Sequence, residues 1–468
     1  MIQWTTQALK GSAQRHTAAS RVARPSSAKE LPEVIHAAQS AKQTVGFRGG
    51  GWSYGDAATN SGAVVGCMDA ISGIVDWDPA AGLMTVNAGT TIGEILRHAM
   101  ADGWTLPAAP GILGVTAAGA VANDVHGKDT PGNGNIGDAT ISLTLVGSDG
   151  VARDVSWESD PPLMGATVAG LGLTGAITRV TFQLQWMPST DWLTKSIPTH
   201  SLAETLAVVI SAHDAGFTHV VAWVDPFGDF GRAGRGCVEA GRWDPNGTRD
   251  LTRPDLLAGL RESTHLFGVI PPRLAWPVVG LAHRRSTVNA FSALRHYRLR
   301  RRGPVTAERP FGEWNFIHNQ APEGHRIYGR QGMLEIQPLI PDSAGPDAIR
   351  DLLAICRGMR AESLLCGLKR HRPGLGLLSF GQQGWSLGID VAGKEHSDRE
   401  LQLIAETVFD FTISCGGHVY LAKDQLLDAR RFNLMYPRAE EMRGFLAARG
   451  ATGVFSSDMA RRLELVPA

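Results

Sequence analysis

Three successive glycines stand inside Arg48-Gly49-Gly50-Gly51-Trp52-Ser53-Tyr54-Gly55-Asp56, directly after a short apolar stretch, Thr44–Phe47. With no Cβ in the way, consecutive amide N–H groups there can converge on an anion. A purely structural surface loop is the plainer alternative. A second cluster, Gly170-Leu171-Gly172-Leu173-Thr174-Gly175, matches G-x-G-x-x-G, but a strand-like run, Ala176–Leu184, follows it where a dinucleotide fingerprint requires a helix. It is not a Rossmann site. His126, in His126-Gly127-Lys128 at the end of the small-residue run Pro110–Val125, is the sharpest polar candidate, although a lone histidine more often fills a satisfied buried position. Lys423, closing a strand-like Tyr420-Leu421-Ala422-Lys423-Asp424, reads by itself as a surface lysine. Residues 295–302, RHYRLRRR, are a local basic run: either a solvated loop or a surface that attracts a phosphate or an anionic membrane. The apolar stretch Leu266–Leu281, with Trp276, precedes it and makes membrane contact credible.

These side chains need a scaffold, and composition bounds it. The chain has 468 residues, enough for two or three domains at ~100–200 residues each. Lys+Arg and Asp+Glu are both 45, whereas a nucleic-acid binder would show a basic surplus and a disordered chain a large charge of either sign. The 55 glycines exceed the usual ~7% without a G-x-y period, which points to positive φ or close ligand approach. Cys67, Cys237, Cys356, Cys366 and Cys415 are odd in number and form no CxxC pair, so neither a disulfide framework nor a metal site is expected. The start, MIQWTTQALKGSAQRH, has no apolar h-region, and no window approaches the ~18–20 apolar residues of a membrane span. A soluble, cytoplasmic protein is expected, one that can still rest on the inner membrane face.

Periodicity places the elements. A helix is expected over 31–42, strands near 44–47, 73–77 and 83–88, and a helix opened by a Thr91-x-x-Glu94 capping box with Ile92, Ile95, Leu96 and Ala99 as its buried stripe. Strand-like alternation returns at 140–156 and 176–185. Beyond about 190 the pattern gives a helix (202–214), a strand (217–224) and an irregular Arg- and Pro-rich region to about 310. Then come strand 333–340, helix 346–358, strands near 363–369 and 376–391, and helix 397–413. Together these read as an α+β fold whose second part is an antiparallel sheet flanked by helices.

RGGGWSYGD, the Pro110-Gly111 … AAGAVANDVHGK stretch and GLGLTGAI occur in the order and spacing of the vanillyl-alcohol-oxidase-type (PCMH) FAD-binding fold, which the chain resembles. Phe311-Gly312-Glu313-Trp314-Asn315, the YLAKD segment and Phe455–Leu463 narrow the likeness. Over nearly its whole length, and weakest between about 225 and 310, the chain is similar to the decaprenylphosphoryl-β-D-ribose 2′-oxidase family, the flavoprotein half of a ribose-to-arabinose epimerase. The resemblance implies a two-part FAD-binding domain, residues 1–190 and a C-terminal return 412–468, around a substrate domain, 191–411.

It further implies that Arg48, Gly49, Gly50, Gly51, Trp52, Ser53 and Tyr54 cradle the FAD pyrophosphate. Pro110, Gly111, Thr116 and Gly119, then Asn123, His126, Gly127 and Lys128, then Gly172, Thr174, Gly175 and Ile177, would line the rest of the cofactor, with Tyr420 beside them. Trp52 stands where many oxidases of the superfamily carry the histidine that bonds covalently to the flavin, so non-covalent FAD is expected. Lys423 would sit by the flavin N1/C2 carbonyl edge and stabilise the anionic reduced ring. His126, Tyr54 and Lys423 are the candidates for catalysis, and Trp223, Glu335, Gln337, Lys369 and Gly388 for substrate binding. Two of these depart from the family: Glu335 replaces its usual Gln, and Gly388 stands where the best-known members have Cys.

The expected reaction is oxidation of a secondary alcohol of a glycosyl substrate, foremost the 2′-hydroxyl of a polyprenyl-phospho-β-D-ribose. A soluble sugar-alcohol or aldonolactone oxidase is the alternative. A non-catalytic flavin or lipid-phosphate binding protein is the rival from another class, and the joint presence of His126, Lys128 and Lys423 argues against it. Inversion at the oxidised carbon requires a separate reductase, so an NAD(P)H-dependent short-chain reductase is the expected pathway partner.

Overall fold

In Thr17–Arg24, Ala18, Ser20 and Val22 are buried at a period of two, and this strand pairs antiparallel with Gln3–Lys10 along its whole length. Val64–Cys67 and Val45–Arg48 extend the sheet in parallel register. Helix Leu31–Ser40 buries Leu31, Val34, Ile35 and Ala38 on one face, with Pro32 in its first turn. A second, antiparallel sheet runs Ile74–Asp78, Leu83–Asn87, Ala176–Gln183, Thr140–Val146 and Ala152–Ser156 in spatial order. The capping box closes as expected. Glu94 Oε2 accepts from the Thr91 amide at 2.7 Å, Thr91 Oγ1 accepts from the Glu94 amide at 3.2 Å, and helix Ile92–Ala101 buries the expected stripe. The computed structural model describes residues 2–227, 233–266, 269–363 and 366–467.

The third sheet has eight strands in the order Val305–Glu308, Trp192–Thr199, Gly236–Trp243, His219–Val224, Gly367–His371, Gly384–Leu387, Pro338–Pro341 and His418–Val419. Its recorded pairings are all antiparallel. Helix Leu202–Asp214 packs on its Trp192–Thr199 side and helix Asp398–Ser414 on its Pro338–Pro341 side. The architecture is the expected α+β. His418–Val419, sequentially in the C-terminal return, is spatially an edge of this sheet.

Four expectations need correction. The stretch from about 225 to 310 is irregular only in part: turns and loops run over 244–266 and 269–271, but strand Gly236–Trp243, helices Pro272–Ala282 and Arg285–Arg302 and strand Val305–Glu308 lie on either side. The longer helix buries Val288, Ser292 and His296 at a spacing of four, so only one apolar residue marks its inner face and hydrophobic periodicity could not reveal it. The basic run 295–302 is therefore helical, ended by Gly303 at φ 70°, with its last three arginines where a helix dipole favours cations. The strand expected over 333–340 is two strands. Met333–Ile336 pairs with Ile389–Ala392, while Pro338–Pro341 pairs with Gly384–Leu387, so both chains change sheet at Gln337 and Gly388. Likewise 376–383 is not strand, and Leu364 and Leu365 lie outside the described residues. Finally, Lys423 does not end a strand but a 3-10 turn, Leu421–Lys423.

The C-terminal segment binds the halves together. Arg462 donates to both carboxylate oxygens of Asp56, at 2.8 and 2.6 Å, and to Asp424 Oδ2 at 2.8 Å. Asp56 closes the glycine loop and Asp424 follows Lys423; both are buried. The Tyr54 amide donates to the Ala422 carbonyl at 2.9 Å, and a Cβ on Gly55 would come within 2.1 Å of the Asp424 carbonyl oxygen. Stripping one partner from a buried ion cluster costs about 3–5 kcal/mol, because the remaining charges stay desolvated. Arg462→Met should lose about that much unfolding free energy in urea titrations, and Arg462→Lys distinctly less. Wild-type stability in Arg462→Met would show that this connection is dispensable.

Candidate active site

Between these sheets lies a cavity of about 230 Å³, open to solvent. One wall is the loop after Val45–Arg48: Gly49, Gly50, Gly51, Trp52, Ser53 and Tyr54 all face it. Among the described residues, no protein acceptor meets the amides of Gly49 through Ser53, whereas the Tyr54 amide is taken by Ala422. Close approach demands the glycines. A Cβ on Gly49 would lie 2.1 Å from Thr116 Oγ1, and on Gly51, at φ 71°, 2.2 Å from the Arg48 guanidinium. Pro110, Gly111, Thr116, Gly119, Asn123, Gly172, Gly175 and Ile177 line it as well, with Thr116 directly against Gly49.

His126, Gln337, Lys369, Tyr420, Tyr54, Lys423 and His318 gather at the polar part of the cavity. Gln337 Nε2 contacts His126 Nε2 at 2.9 Å and Ser386 Oγ at 3.0 Å, and Ser386 Oγ lies 2.7 Å from His371 Nε2. With the Gln337 amide so oriented, both of its hydrogens are donated, the Ser386 hydroxyl donates onward to His371, and both imidazoles carry their proton on Nδ1. Neither Nδ1 has a protein partner. Burial, then the nearby Lys369, His371 and Lys423 charges, push His126 far below the ordinary histidine pKa, so its ring is neutral. It is held by rings on three sides, 4.6 Å from Tyr420, 4.9 Å from His371 and 5.2 Å from Phe380.

Lys423 Nζ donates to Glu335 Oε1 at 2.5 Å and stands 5.4 Å from the centre of the Tyr54 ring. The Glu335 charge, followed by burial, holds the Tyr54 hydroxyl well above its usual pKa; it remains a donor. Lys369 has no protein hydrogen-bond partner among the described residues, and burial beside Lys423 and Lys128 lowers its pKa to about 7.

Several expected residues stand elsewhere. Arg48 turns back beneath the loop to the carbonyls of Lys10 (2.9 Å) and Ala58 (3.3 Å). Lys128 is buried away from the cavity wall, donating to the Asn315 carbonyl, 3.3 Å from Asn315 Oδ1 and 5.3 Å from the centre of the Trp314 ring, so the HGK and FGEWN segments hold one another. Gly127 packs where a Cβ would meet the Ala109 carbonyl oxygen at 2.0 Å, and Thr174 Oγ1 pairs with Thr167 Oγ1 at 3.0 Å. Trp223 lies under the Arg295 guanidinium, 4.2 Å from its ring centre. Glu335 is behind Lys423 rather than on the wall. Gly388 donates its amide to Gly367, and a Cβ there would meet nothing closer than 3.8 Å, so the backbone does not require glycine. Sequence reasoning missed His318, His371, Ser386 and Phe380. Their chain distances from His126 carry no local signal, except that His318 follows FGEWN by three residues.

These residues fit FAD. Five unpartnered amides suit a pyrophosphate, and Asn123 Oδ1 and His126 Nδ1, buried without partners, suit polar atoms of a bound heterocycle and its ribityl chain. A family model described as an FAD binding domain matches residues 19–156. Decaprenylphosphoryl-beta-D-ribose oxidase of Mycolicibacterium smegmatis is 30% identical over 452 residues, 93% of each chain. L-gulonolactone oxidase of Mus musculus is 28% identical over 39% of this chain and 40% of its own length. A putative D-arabinono-1,4-lactone oxidase of Neurospora crassa is 28% identical over 39% of this chain and 31% of its own. The chain binds FAD. Because Trp52 offers no nucleophile for a covalent bond, acid precipitation of the yellow protein should release all its colour into the supernatant, and flavin retained in the pellet would contradict this.

Proposed function

The chain belongs to the decaprenylphosphoryl-β-D-ribose oxidase family of FAD-dependent oxidoreductases, and on that premise we propose that it oxidises the 2′-hydroxyl of a polyprenyl-phospho-β-D-ribose to the keto-sugar. The observation that carries the reading is the convergence of Lys369, Lys423, the Gln337–His126 pair and the Tyr54 hydroxyl on one part of the cavity, beside a wall that suits the cofactor. FAD, when bound, supplies the acceptor for the hydride that leaves the carbinol carbon as its hydroxyl loses a proton. Lys423 supplies positive charge where charge changes during that transfer, in a site shielded from water. Tyr54, kept protonated, donates a hydrogen bond. His126 is neutral and its free Nδ1–H donates, so it can orient the hydroxyl; with the Gln337 amide turned over, its oxygen would accept from Nε2–H, and in that tautomer Nδ1 would be the acceptor for the hydroxyl proton. Lys369, near its midpoint at neutral pH, is suited to a phosphate.

The lactone oxidases share about two fifths of this chain, 39% for the mouse enzyme, and support the aldonolactone reading only weakly. An NAD(P)H-dependent short-chain reductase is proposed to complete the inversion, since oxidation alone leaves a ketone. A cytoplasmic protein working at the inner membrane face is proposed because the substrate would be lipid-borne; no described helix is long and apolar enough to cross a membrane.

Anaerobic bleaching of the flavin across polyprenyl-phospho-pentoses, free sugars and aldonolactones tests the substrate. Rapid bleaching only by the phospho-ribose is the expected result, and bleaching by lactones alone would reverse the assignment. Lys423→Ala, confirmed to hold stoichiometric FAD, should bleach ~10²–10³ slower in stopped flow, the usual cost of one such electrostatic partner; a wild-type rate would make the lysine structural.

A further inference from the structure

Helix Pro272–Ala282 turns a second apolar face to solvent. Ala275 and Trp276 are buried on its inner side, while Leu274, Val278 and Leu281 are 63%, 68% and 73% exposed, at the i, i+4, i+7 spacing of one stripe. On the neighbouring helix Arg285–Arg302, Phe291 and Leu294 are also exposed. Scattered exposed leucines need no explanation, but a stripe of this kind does.

Charge identifies what covers it. Between residues 263 and 307 the sequence has eight arginines and no Asp or Glu, in a chain whose total charge is zero. A groove beneath the same helix is lined by Lys10, Arg273, Arg326 and Arg330 beside Trp276 and Pro277. Arg326 pairs with Glu323 at 2.7 Å, but Lys10, Arg273 and Arg330 have no carboxylate partner among the described residues. An apolar ridge flanked by unpaired cations matches an anionic bilayer, with the ridge among acyl chains and the cations at headgroup phosphates. A protein partner would need acidic and apolar surface in the same arrangement, which a bilayer supplies without any specific fit.

The ridge also communicates with the cavity. Tyr54, on the cavity wall, and Ile327 both pack against the Ala13–Tyr328–Met333–Ala392 cluster, and Ile327 also packs against the Leu266–Ala275–Trp276 cluster beneath the helix. The Trp276 indole donates to the Pro322 carbonyl at 2.8 Å, and Lys394 Nζ ties the helix at Gly280 to Ile327, 3.1 Å from its carbonyl. Packed side chains thus run without a break from the exposed helix to the Tyr54 wall. We infer that Leu274, Val278 and Leu281, with Lys10, Arg273 and Arg330, form the surface by which the protein docks on anionic lipid bilayers and from which its substrate enters; the entry half rests on the reading of a lipid-borne substrate. Phe267 and Gly268, within the apolar stretch noted in the sequence, lie outside the described residues.

The test is co-sedimentation of the FAD-loaded protein with phosphatidylcholine vesicles containing or lacking phosphatidylglycerol, at low and high salt. Binding is expected only with the anionic lipid, and salt should weaken it. Leu274→Asp/Leu281→Asp should abolish it, and each of Arg273→Ala and Arg330→Ala should lower the partition about fivefold. Equal binding to neutral vesicles, or undiminished binding by both sets of variants, overturns the inference. So does a lipid-free dimer, seen by analytical ultracentrifugation, that the leucine variants dissociate. Bleaching by a short-chain soluble phospho-ribose is measured on the same samples and should be unchanged by the substitutions; a wild-type protein that bleaches but does not bind anionic vesicles refutes the surface alone, and absent bleaching in the wild type refutes the substrate reading alone.

Discussion

Arg462 holds the two strips of chain that carry Tyr54 and Lys423 at a fixed separation. Its guanidinium sits between Asp56 and Asp424, residues 368 positions apart by number, and each aspartate ends a segment that contributes to the cavity wall. Around it the contacts are backbone ones that tolerate little displacement: the Tyr54 amide on the Ala422 carbonyl, and Gly55 pressed on Asp424. A planar fork of donors is suited to this geometry in a way that an ammonium is not. The catalytic candidates are positioned by this junction rather than by the loop that bears them.

A second constraint follows from the first. Drawing the segments together confines Lys128, Lys369, Lys423, His126 and His371 in one poorly hydrated region, where like charges cannot all persist. Each basic group reaches a different accommodation. Lys423 acquires Glu335, Lys128 the Asn315 oxygens and the Trp314 face, the histidines stay neutral, and Lys369 gives up part of its affinity for the proton. Glu335 is therefore part of the electrostatic balance around Lys423 and also the main reason that Tyr54 resists ionisation.

Much of the fold was legible in the sequence because local chemistry and periodicity agreed. The Thr91–Glu94 box, the stripe of Leu31–Ser40 and the glycine loop needed no tertiary information. The helix Arg285–Arg302 was hidden because its buried positions are Val288, Ser292 and His296, and the switch of sheet at Gln337 and Gly388 because a continuous apolar run looks the same on one sheet or two. In the site, the motifs located the wall, but the Gln337–Ser386–His371 chain joins residues of three separate strand ends and has no sequence spacing to betray it. Lys128 and Arg48 show the converse: side chains inside a cofactor motif can be turned from the cavity and serve the rigidity of the motif.

The C-terminal segment also fixes the order in which the molecule can be made. Val45 pairs with Phe455 as a parallel bridge, Asp458 accepts from Thr59 and the Ser61 amide, and Arg462 reaches Asp56 across 406 residues of chain. At about 5–20 residues per second a ribosome needs roughly 20–80 s to travel that interval. Throughout it the first sheet lacks its last neighbour beside Val45–Arg48, and the glycine loop has nothing to close against. Cofactor capture therefore belongs to the period after Arg462 has left the ribosome.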